Sequence, residues 1–208
     1  MRKWTIALSA AAALSGLAVS GLHAQGAMAL PGAHDRARVT AGTYSADPNH
    51  TQVLYTYGHL GFTENMGLLS GAHGTLVLDP AAFGRAKLSI DVPVNTIHTT
   101  IDALDKELVG PMFFDAAKFP TAHFESTSVT ANGDNATING NLTIHGVTKP
   151  ATIMATFVGA GANPMSKKAT ISFHGTMRIN RGDFGLGTAI PMVANQVDLV
   201  ITAAFEKA

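Results

Sequence analysis

Apolar residues alternate with polar ones along most of this chain, and this two-residue period constrains the fold more than any other feature. In residues 87–94, for example, Leu88, Ile90, Val92 and Val94 alternate with Lys87, Ser89 and Asp91. Successive side chains of a β-strand point to opposite faces of the sheet, so one face of this segment is apolar and the other polar. The pattern predicts a half-buried strand.

The same period recurs in seven further segments, which brings the predicted number of strands to about eight. They are residues 51–57, 71–79, 121–130, 136–144, 151–158, 170–179 and 195–205. Eight antiparallel strands with one apolar face each bury those faces in a closed barrel or in two stacked sheets. Closure also removes exposed sheet edges. We therefore expect an all-β fold, an eight-stranded antiparallel barrel of lipocalin-like size.

One segment follows a helical period instead. Ile101, Leu104 and Leu108 recur at helical spacing, Thr99 or Thr100 precedes them as a candidate N-cap, and Gly110 stops the pattern. The sequence therefore predicts a short α-helix between the third and fourth strands.

The first 24 residues have the composition of a secretory signal peptide. Arg2 and Lys3 precede an apolar run from Trp4 to Val19, and cleavage sites follow after Ala24 or after Ala29. The run is shorter than the roughly 20 apolar residues that cross a bilayer, which disfavours an uncleaved anchor. We expect an exported protein without a stable membrane span, composed of signal peptide 1–24, flexible leader 25–41 and barrel domain 42–208.

Composition and missing motifs exclude several classes of function. The chain has no cysteine, which excludes disulfides, thiolate metal sites and cysteine nucleophiles. Its 14 basic and 14 acidic residues are scattered, so no nucleic acid is expected as a partner. There is no nucleophile elbow, Walker loop or H-E-x-x-H motif. The histidines have no spacing that fixes a shared metal site, so the sequence predicts no catalytic and no metal-binding residues.

Four motifs resemble the YceI-like protein family. The longest are Met112–Ser126, which is similar to the family's F-F-D-x-x-x-[FY]-P-x-x-x-F-x-S, and Gly140–Pro150, which is similar to G-x-L-T-[IL]-x-G-x-T-[KR]-P. Tyr44 to His50 and Arg181–Gly185 add support at the two ends. Together the motifs cover about residues 43–206. The chain departs from the family pattern at Glu107, where a histidine is usual.

The resemblance implies a lipocalin-like barrel, location in the bacterial periplasm and binding of an isoprenoid or other amphiphilic lipid. The proposed roles of the family also include a response to base or osmotic stress. On this basis we expect a non-enzymatic carrier with no cofactor other than a bound isoprenoid or quinone-like lipid. A homodimer is left open. Two alternatives also remain: a lipid-modifying or metal-dependent enzyme, and a stress-related structural domain whose barrel is filled by its own side chains.

A hydrophobic ligand of this kind needs an apolar lining with a few polar groups at one end for its head. Each buried methylene of an apolar tail contributes about 0.8 kcal/mol without any directional contact. The apolar faces of the predicted strands, together with one residue of the first hairpin, supply the candidate ligand-binding residues: Phe62, Leu88, Ile90, Val92, Phe124, Ile138, Leu142, Ile153, Phe157, Phe173, Met177, Leu199 and Ile201. Alternation alone leaves open whether these inward residues border a cavity or fill it.

Overall fold

Strand pairing follows the predicted alternation and closes the sheet on itself. A computed structural model describes residues 29–208, so the predicted signal peptide 1–24 lies outside the described residues. The strands are β1 Gly32–Ala33, β2 Gly42–Ala46, β3 Gln52–His59, β4 Thr63–Leu69, β5 His73–Leu78, β6 Lys87–Pro93, β7 Thr121–Asn132, β8 Asn135–Ile144, β9 Val147–Ala162, β10 Ala169–Asn180 and β11 Gln196–Lys207. The α-helix is α1 Asp102–Leu108.

Eight of these strands form the closed ring. Its order is β2-β5-β6-β7-β8-β9-β10-β11, and β11 pairs back to β2. Every pairing is antiparallel. The predicted eight-stranded antiparallel barrel is confirmed, although the ring contains β2 where the sequence analysis had placed the strand at residues 51–57.

That predicted strand exists as β3, but it lies beyond the ring. β11 pairs with β2 through Phe205–Lys207 and with β3 through Asp198–Thr202, so β2 and β3 lie one after the other along β11. β4 then pairs with β3. The β3–β4 hairpin therefore extends the barrel wall at one end.

Strand β4 was missed because its hydrophobic pattern is inverted. Met66 and Leu68 are 60% and 40% exposed, whereas the residue between them, Gly67, is buried. A Cβ at Gly67 would overlap the hydroxyl of Tyr55, which lies opposite it on β3. Only a residue without a side chain fits there, so the inward position of β4 gives no apolar signal.

The connection between β6 and β7 contains α1, as predicted, but its cap differs. The N-cap residue is Ile101, which makes no side-chain capping bond, rather than Thr99 or Thr100. The Thr99 hydroxyl instead lies 2.6 Å from the Asp105 carboxylate. Leu68 of β4 and His98 exchange backbone hydrogen bonds of 2.8 Å. The connection between β6 and β7 therefore lies along the edge of β4 that does not pair with β3.

The prediction of an unstructured leader over residues 25–41 is wrong for part of that segment. Strand β1 pairs Gly32 and Ala33 with β9, and a 3-10 helix spans Arg36–Arg38. Val39 is buried among the core residues of the barrel. The polar and small residues of this segment give no periodicity, and its structure comes from pairing with a distant strand.

We name the two ends of the barrel by their contents. The aromatic end contains Tyr44, Phe157, Phe173 and Phe205, which pack together with Val39 and Ile171. The hairpin end is formed by the β3–β4 hairpin, α1 and the connection 181–195. Backbone hydrogen bonds join the hairpin to this connection, such as that from the amide of Leu60 to the carbonyl of Met192 at 2.7 Å.

Candidate functional site

A cavity of about 340 Å³ runs inside the barrel. Of the 33 residues that line it, 26 are apolar, and none is an aspartate, glutamate or lysine. The volume lies at the lower end of the roughly 300–1,000 Å³ that ligand pockets occupy. The apolar faces of the strands create it, because the inward side chains from opposite walls do not meet.

The structure brings most of the predicted ligand-binding residues together around this cavity. Nine of the thirteen line it: Leu88, Ile90, Val92, Phe124, Leu142, Ile153, Met177, Leu199 and Ile201. Ile138 and Phe173 line an adjoining cavity of about 130 Å³. The two cavities share Leu88, Ile153, Ile201, Ala203 and Phe205, so they meet inside the barrel.

Two predicted residues do not line either cavity. Phe157 is 5% exposed and packs against Phe173 at the aromatic end, with ring centroids 6.1 Å apart. Phe62 is 88% exposed in the turn between β3 and β4, and its prediction as a lining residue is wrong. The turn reverses the chain at this point, so the alternation of β3 does not extend to Phe62.

The polar residues of the cavity are concentrated at the hairpin end. Tyr55, Tyr57 and His59 occupy alternate positions of β3 and face inward with Asn65 and Arg181. Polar groups at one end of the cavity were expected from the sequence, but these residues were not among the predicted ones. Alternation along residues 53–59 could have identified the β3 residues, whereas nothing local showed that Arg181 faces a cavity.

Tyr55 is the most buried of these polar residues. It is 7% exposed, and its hydroxyl has no hydrogen-bond partner among the protein atoms of residues 29–208. Burial raises the pKa of the Tyr55 hydroxyl, and the neighbouring Tyr57 and Asp105 raise it further. The group is therefore a neutral hydrogen-bond donor at any physiological pH.

Arg181 holds the connection 181–195 in place. Its Nε and Nη2 donate to the carbonyls of Ala194 and Val193, each at 2.8 Å, and Nη1 donates to the carbonyl of Leu186. Burial lowers the pKa of the guanidinium, an effect that Tyr57 opposes. Three of its five donors are thus occupied by the backbone of the loop that closes this end.

The helix covers the cavity from the same end. Leu104 and Leu108 of α1 line it, together with Phe113 and Phe114 of the following turn. Asp105 of the same helix accepts hydrogen bonds from the Thr99 amide at 2.6 Å and from His98 Nδ1 at 2.9 Å. These bonds tie α1 to the segment that pairs with β4.

Histidines of residues 29–208 contact carboxylates at several places, but these contacts form no metal-binding group in this part of the chain. His123 lies 2.9 Å from Asp91 and 3.7 Å from Glu125, and the side chains of all three are more than a third exposed. In this part of the chain, no group of three or more histidine, aspartate or glutamate side chains is placed to hold a metal ion. No helix between residues 29 and 208 has the length and apolar character needed to cross a membrane.

A closed eight-stranded barrel with an apolar internal cavity and polar groups at one end defines a class, the lipocalin-like ligand-binding barrels. Residues 44–205 match the family of YceI-like domains. The chain belongs to the YceI-like family.

Relatives and solved structures agree with this assignment. A UPF0312 protein of Pseudomonas fluorescens is 36% identical over 173 residues, which cover 79% of this chain and 87% of the relative. Protein YceI of Salmonella arizonae is 34% identical over 164 residues, covering 78% of this chain and 85% of the relative.

Among solved structures, Burkholderia cenocepacia BcnA superposes with a TM-score of 0.68 at 22% identity and covers 76% of this chain and 98% of its own. A polyisoprenoid binding domain from Saccharophagus degradans has a TM-score of 0.58 at 12% identity and covers 79% of this chain and 98% of its own. These likenesses show the shared barrel fold.

Proposed function

We propose that this protein is a periplasmic carrier that holds a long-chain isoprenoid or other amphiphilic lipid in its main cavity. The observation that carries the proposal is the cavity itself, which is lined mostly by apolar residues and has five of its seven polar lining residues at the hairpin end. An amphiphile has the same distribution, with a long apolar tail and a small polar head. The polyisoprenoid-binding function of the Saccharophagus domain, which has the same fold, also supports it.

The cavity favours a binding role over an enzymatic one. A reaction on a bound lipid needs a general base, a nucleophile or a metal beside the reacting atoms. The main cavity has no aspartate, glutamate, serine or cysteine among its lining residues, and its arginine is bonded to the loop. Its two histidines are His59 and His123, of which His123 pairs with Asp91, and neither belongs to a metal-binding group among residues 29–208. The cavity also favours a carrier over a domain whose barrel is filled by its own side chains.

The ligand can be identified by organic extraction of the freshly purified protein followed by mass spectrometry. We expect one amphiphile in near-equimolar amount, and we expect the extracted protein to bind a matching lipid again. A protein that releases nothing and binds neither a prenyl alcohol nor an apolar fluorescent dye would contradict the proposal.

The periplasmic location rests on the predicted signal peptide, and cell fractionation tests it. We expect the full chain to be found in the periplasm and a variant with Arg2 and Lys3 replaced by glutamate to stay in the cytoplasm, because the positive start of a signal peptide is needed for export. Periplasmic recovery of both, or of neither, would contradict it.

A further inference from the structure

The segments that close the hairpin end of the barrel contain no acidic residue, no lysine and no arginine. They are residues 57–63, 108–114 and 184–197. The Leu60 amide donates to the Met192 carbonyl at 2.7 Å, and the Thr188 hydroxyl donates to the Met112 carbonyl at 3.4 Å. The three segments therefore lie together and form one surface without fixed charge.

Five large apolar side chains of these segments are exposed to solvent. We call them the apolar rim: Leu60, Phe62, Met112, Ile190 and Met192. Phe62 is the most exposed of the five, at 88%, and lies in the turn between β3 and β4. Contiguous apolar surface of this kind on a folded protein marks a site that binds another apolar surface.

The apolar rim is continuous with the main cavity. At three places a rim residue is next in the chain to a residue that lines the cavity. The pairs are His59 with Leu60, Phe113 with Met112 and Val193 with Met192. Apolar surface thus continues from the inside of the barrel to its outside at this end. An apolar tail that leaves the cavity here meets the rim before it meets water.

The charges around the rim match a surface without net charge. Every charged residue that directly adjoins the three segments in the chain is acidic: Glu64, Glu107, Asp115, Asp183 and Asp198. Lys106 and Lys118 lie further along the chain and are fewer than these carboxylates. Anionic lipid headgroups are bound by clusters of lysine and arginine. The surroundings of the rim contain no such cluster, so they favour zwitterionic headgroups.

We propose that the apolar rim docks on a bilayer of zwitterionic lipids, with Phe62 inserted, and that lipid passes between the bilayer and the main cavity at this end. The passage of lipid rests on the proposed function, because it assumes that the cavity holds a lipid. A second copy of this chain is a poorer occupant, since a stable dimer needs roughly 20–30 residues a side. A rim of five side chains is too small for that and sufficient for shallow insertion between headgroups.

Flotation with phosphatidylcholine vesicles tests the docking. We expect the purified protein to bind the vesicles and Phe62→Gln to weaken binding by at least about tenfold, the factor for burying one large apolar side chain. Phe62→Leu should retain most of the binding. Met165→Gln is the matched control and should bind as the unchanged protein does. Met165 is 87% exposed but lies in the turn between β9 and β10, beside the aromatic end.

Headgroup charge and fluorescence give two further readouts. Adding phosphatidylglycerol should not tighten binding, and raising the salt concentration should not weaken it, because the rim has no cation to attract anionic lipid. Phe62→Trp should show a blue-shifted emission on vesicles, whereas Met165→Trp should not. Trp4 is the only tryptophan of the chain, and the protein without a substitution supplies its background.

Several results would overturn the docking surface: no vesicle binding, equal binding by Phe62→Gln and Met165→Gln, or binding that requires phosphatidylglycerol. Light scattering that finds a dimer, which Phe62→Gln separates, would also overturn it, since a second copy would then cover the rim.

An apolar dye in solution tests the carrier function separately, and Phe62→Gln should bind it normally because Phe62 lines neither cavity. A protein that binds the dye but no vesicles keeps the proposed function and loses this inference. A protein that docks through the rim but binds neither the dye nor a prenyl alcohol loses the proposed function and, with it, the passage of lipid.

Discussion

The two ends of this barrel each bury a tyrosine, and they treat its hydroxyl in opposite ways. At the aromatic end Tyr44 is completely buried and donates to the carbonyl of Thr40. At the hairpin end Tyr55 is almost as buried and its side chain lines the cavity, but its hydroxyl lies against Gly67 and has no partner among the described residues. The tyrosine hydroxyl is hydrogen-bonded at the aromatic end, whereas at the hairpin end it is buried without a partner among residues 29–208.

The difference arises from what fills each end. At the aromatic end Phe157, Phe173 and Phe205 pack edge to face, with centroids 6.1 and 6.3 Å apart. At the hairpin end the wall is extended by β3 and β4, and the inward side chains pack on one another around the main cavity without filling it. The comparison teaches that the same alternating pattern produces a packed core or a cavity, depending on how the barrel is closed.

The largest expected effect compares two isoleucines on the same strand. Ile171 of β10 is 1% exposed at the aromatic end, whereas Ile179 of β10 lines the cavity. Ile171→Ala should lower the free energy of unfolding by about 2–5 kcal/mol, because it leaves a hole in a packed core. Ile179 already borders empty space, so we expect Ile179→Ala to lower the free energy of unfolding by less than about 2 kcal/mol. Urea unfolding measures both, and equal losses would show that the hairpin end is packed as well.

A second substitution fills the cavity from the wall. Ala203 lines both cavities, and Ala203→Trp should place its ring in the path of a lipid tail. We expect at least about a tenfold loss of affinity for an apolar dye, equivalent to roughly 1.4 kcal/mol. Thr202→Trp on the exposed outer face is the control and should leave dye binding unchanged. Equal binding by both variants would place the ligand elsewhere.

A third comparison removes one tyrosine hydroxyl at each end of the barrel, that of Tyr44 and that of Tyr55. Tyr44→Phe leaves the Thr40 carbonyl without its donor, and we expect a loss of about 1 kcal/mol in the free energy of unfolding. Tyr55→Phe removes a hydroxyl that has no partner, so the ligand-free protein should be as stable as before or slightly more stable. Thermal unfolding of the delipidated proteins measures both. A large loss in Tyr55→Phe would mean that the hydroxyl is already satisfied.

The smallest expected effect is a dependence of the stability of the hairpin end on pH. Hydrogen bonds from the side chain and amide of Thr99 and from His98 lower the pKa of Asp105 below its ordinary value of 3.8, although desolvation opposes them. The pKa of Asp105 is lower in the folded protein than in the unfolded chain. The stabilisation that its ionised carboxylate gives the hairpin end is therefore complete above about pH 4 and is lost as the pH falls through the folded pKa.

Hydrogen exchange followed from pH 6 to pH 3 should therefore show the α1 amides losing protection in acid before those of β10. Asp105→Asn should remove most of this dependence, because asparagine does not titrate. If α1 and β10 lose protection together in both proteins, the carboxylate has no specific role at the hairpin end.

Much of the fold was accessible from the sequence because strand alternation is a local property. Residues 87–94, 136–144 and 170–179 each place their apolar residues on one face, and the structure has strands there. The helix was predicted because Leu104 and Leu108 face one side of it. Strand β4 was not, since its inward position is a glycine that makes room for a side chain from the neighbouring strand.

The candidate site was predicted less completely. Leu88, Ile90 and Leu199 line the cavity as expected because inward orientation follows from the period of two. The prediction that Phe62 faces inward is wrong because a turn interrupts that period. Arg181 could not be recognised as a lining residue, since its position depends on the loop that folds back to accept its hydrogen bonds.

Local sequence patterns predicted the class of fold, the approximate number of strands and most of the apolar inward residues, because each depends on neighbours a few positions apart. Long-range packing determines which inward residues border empty space, and it leaves the hydroxyl of Tyr55 without a partner among residues 29–208. Those properties depend on the distance between opposite walls and on the contacts of β3, β4 and α1. Such contacts join segments far apart in the chain, so no local pattern contains them.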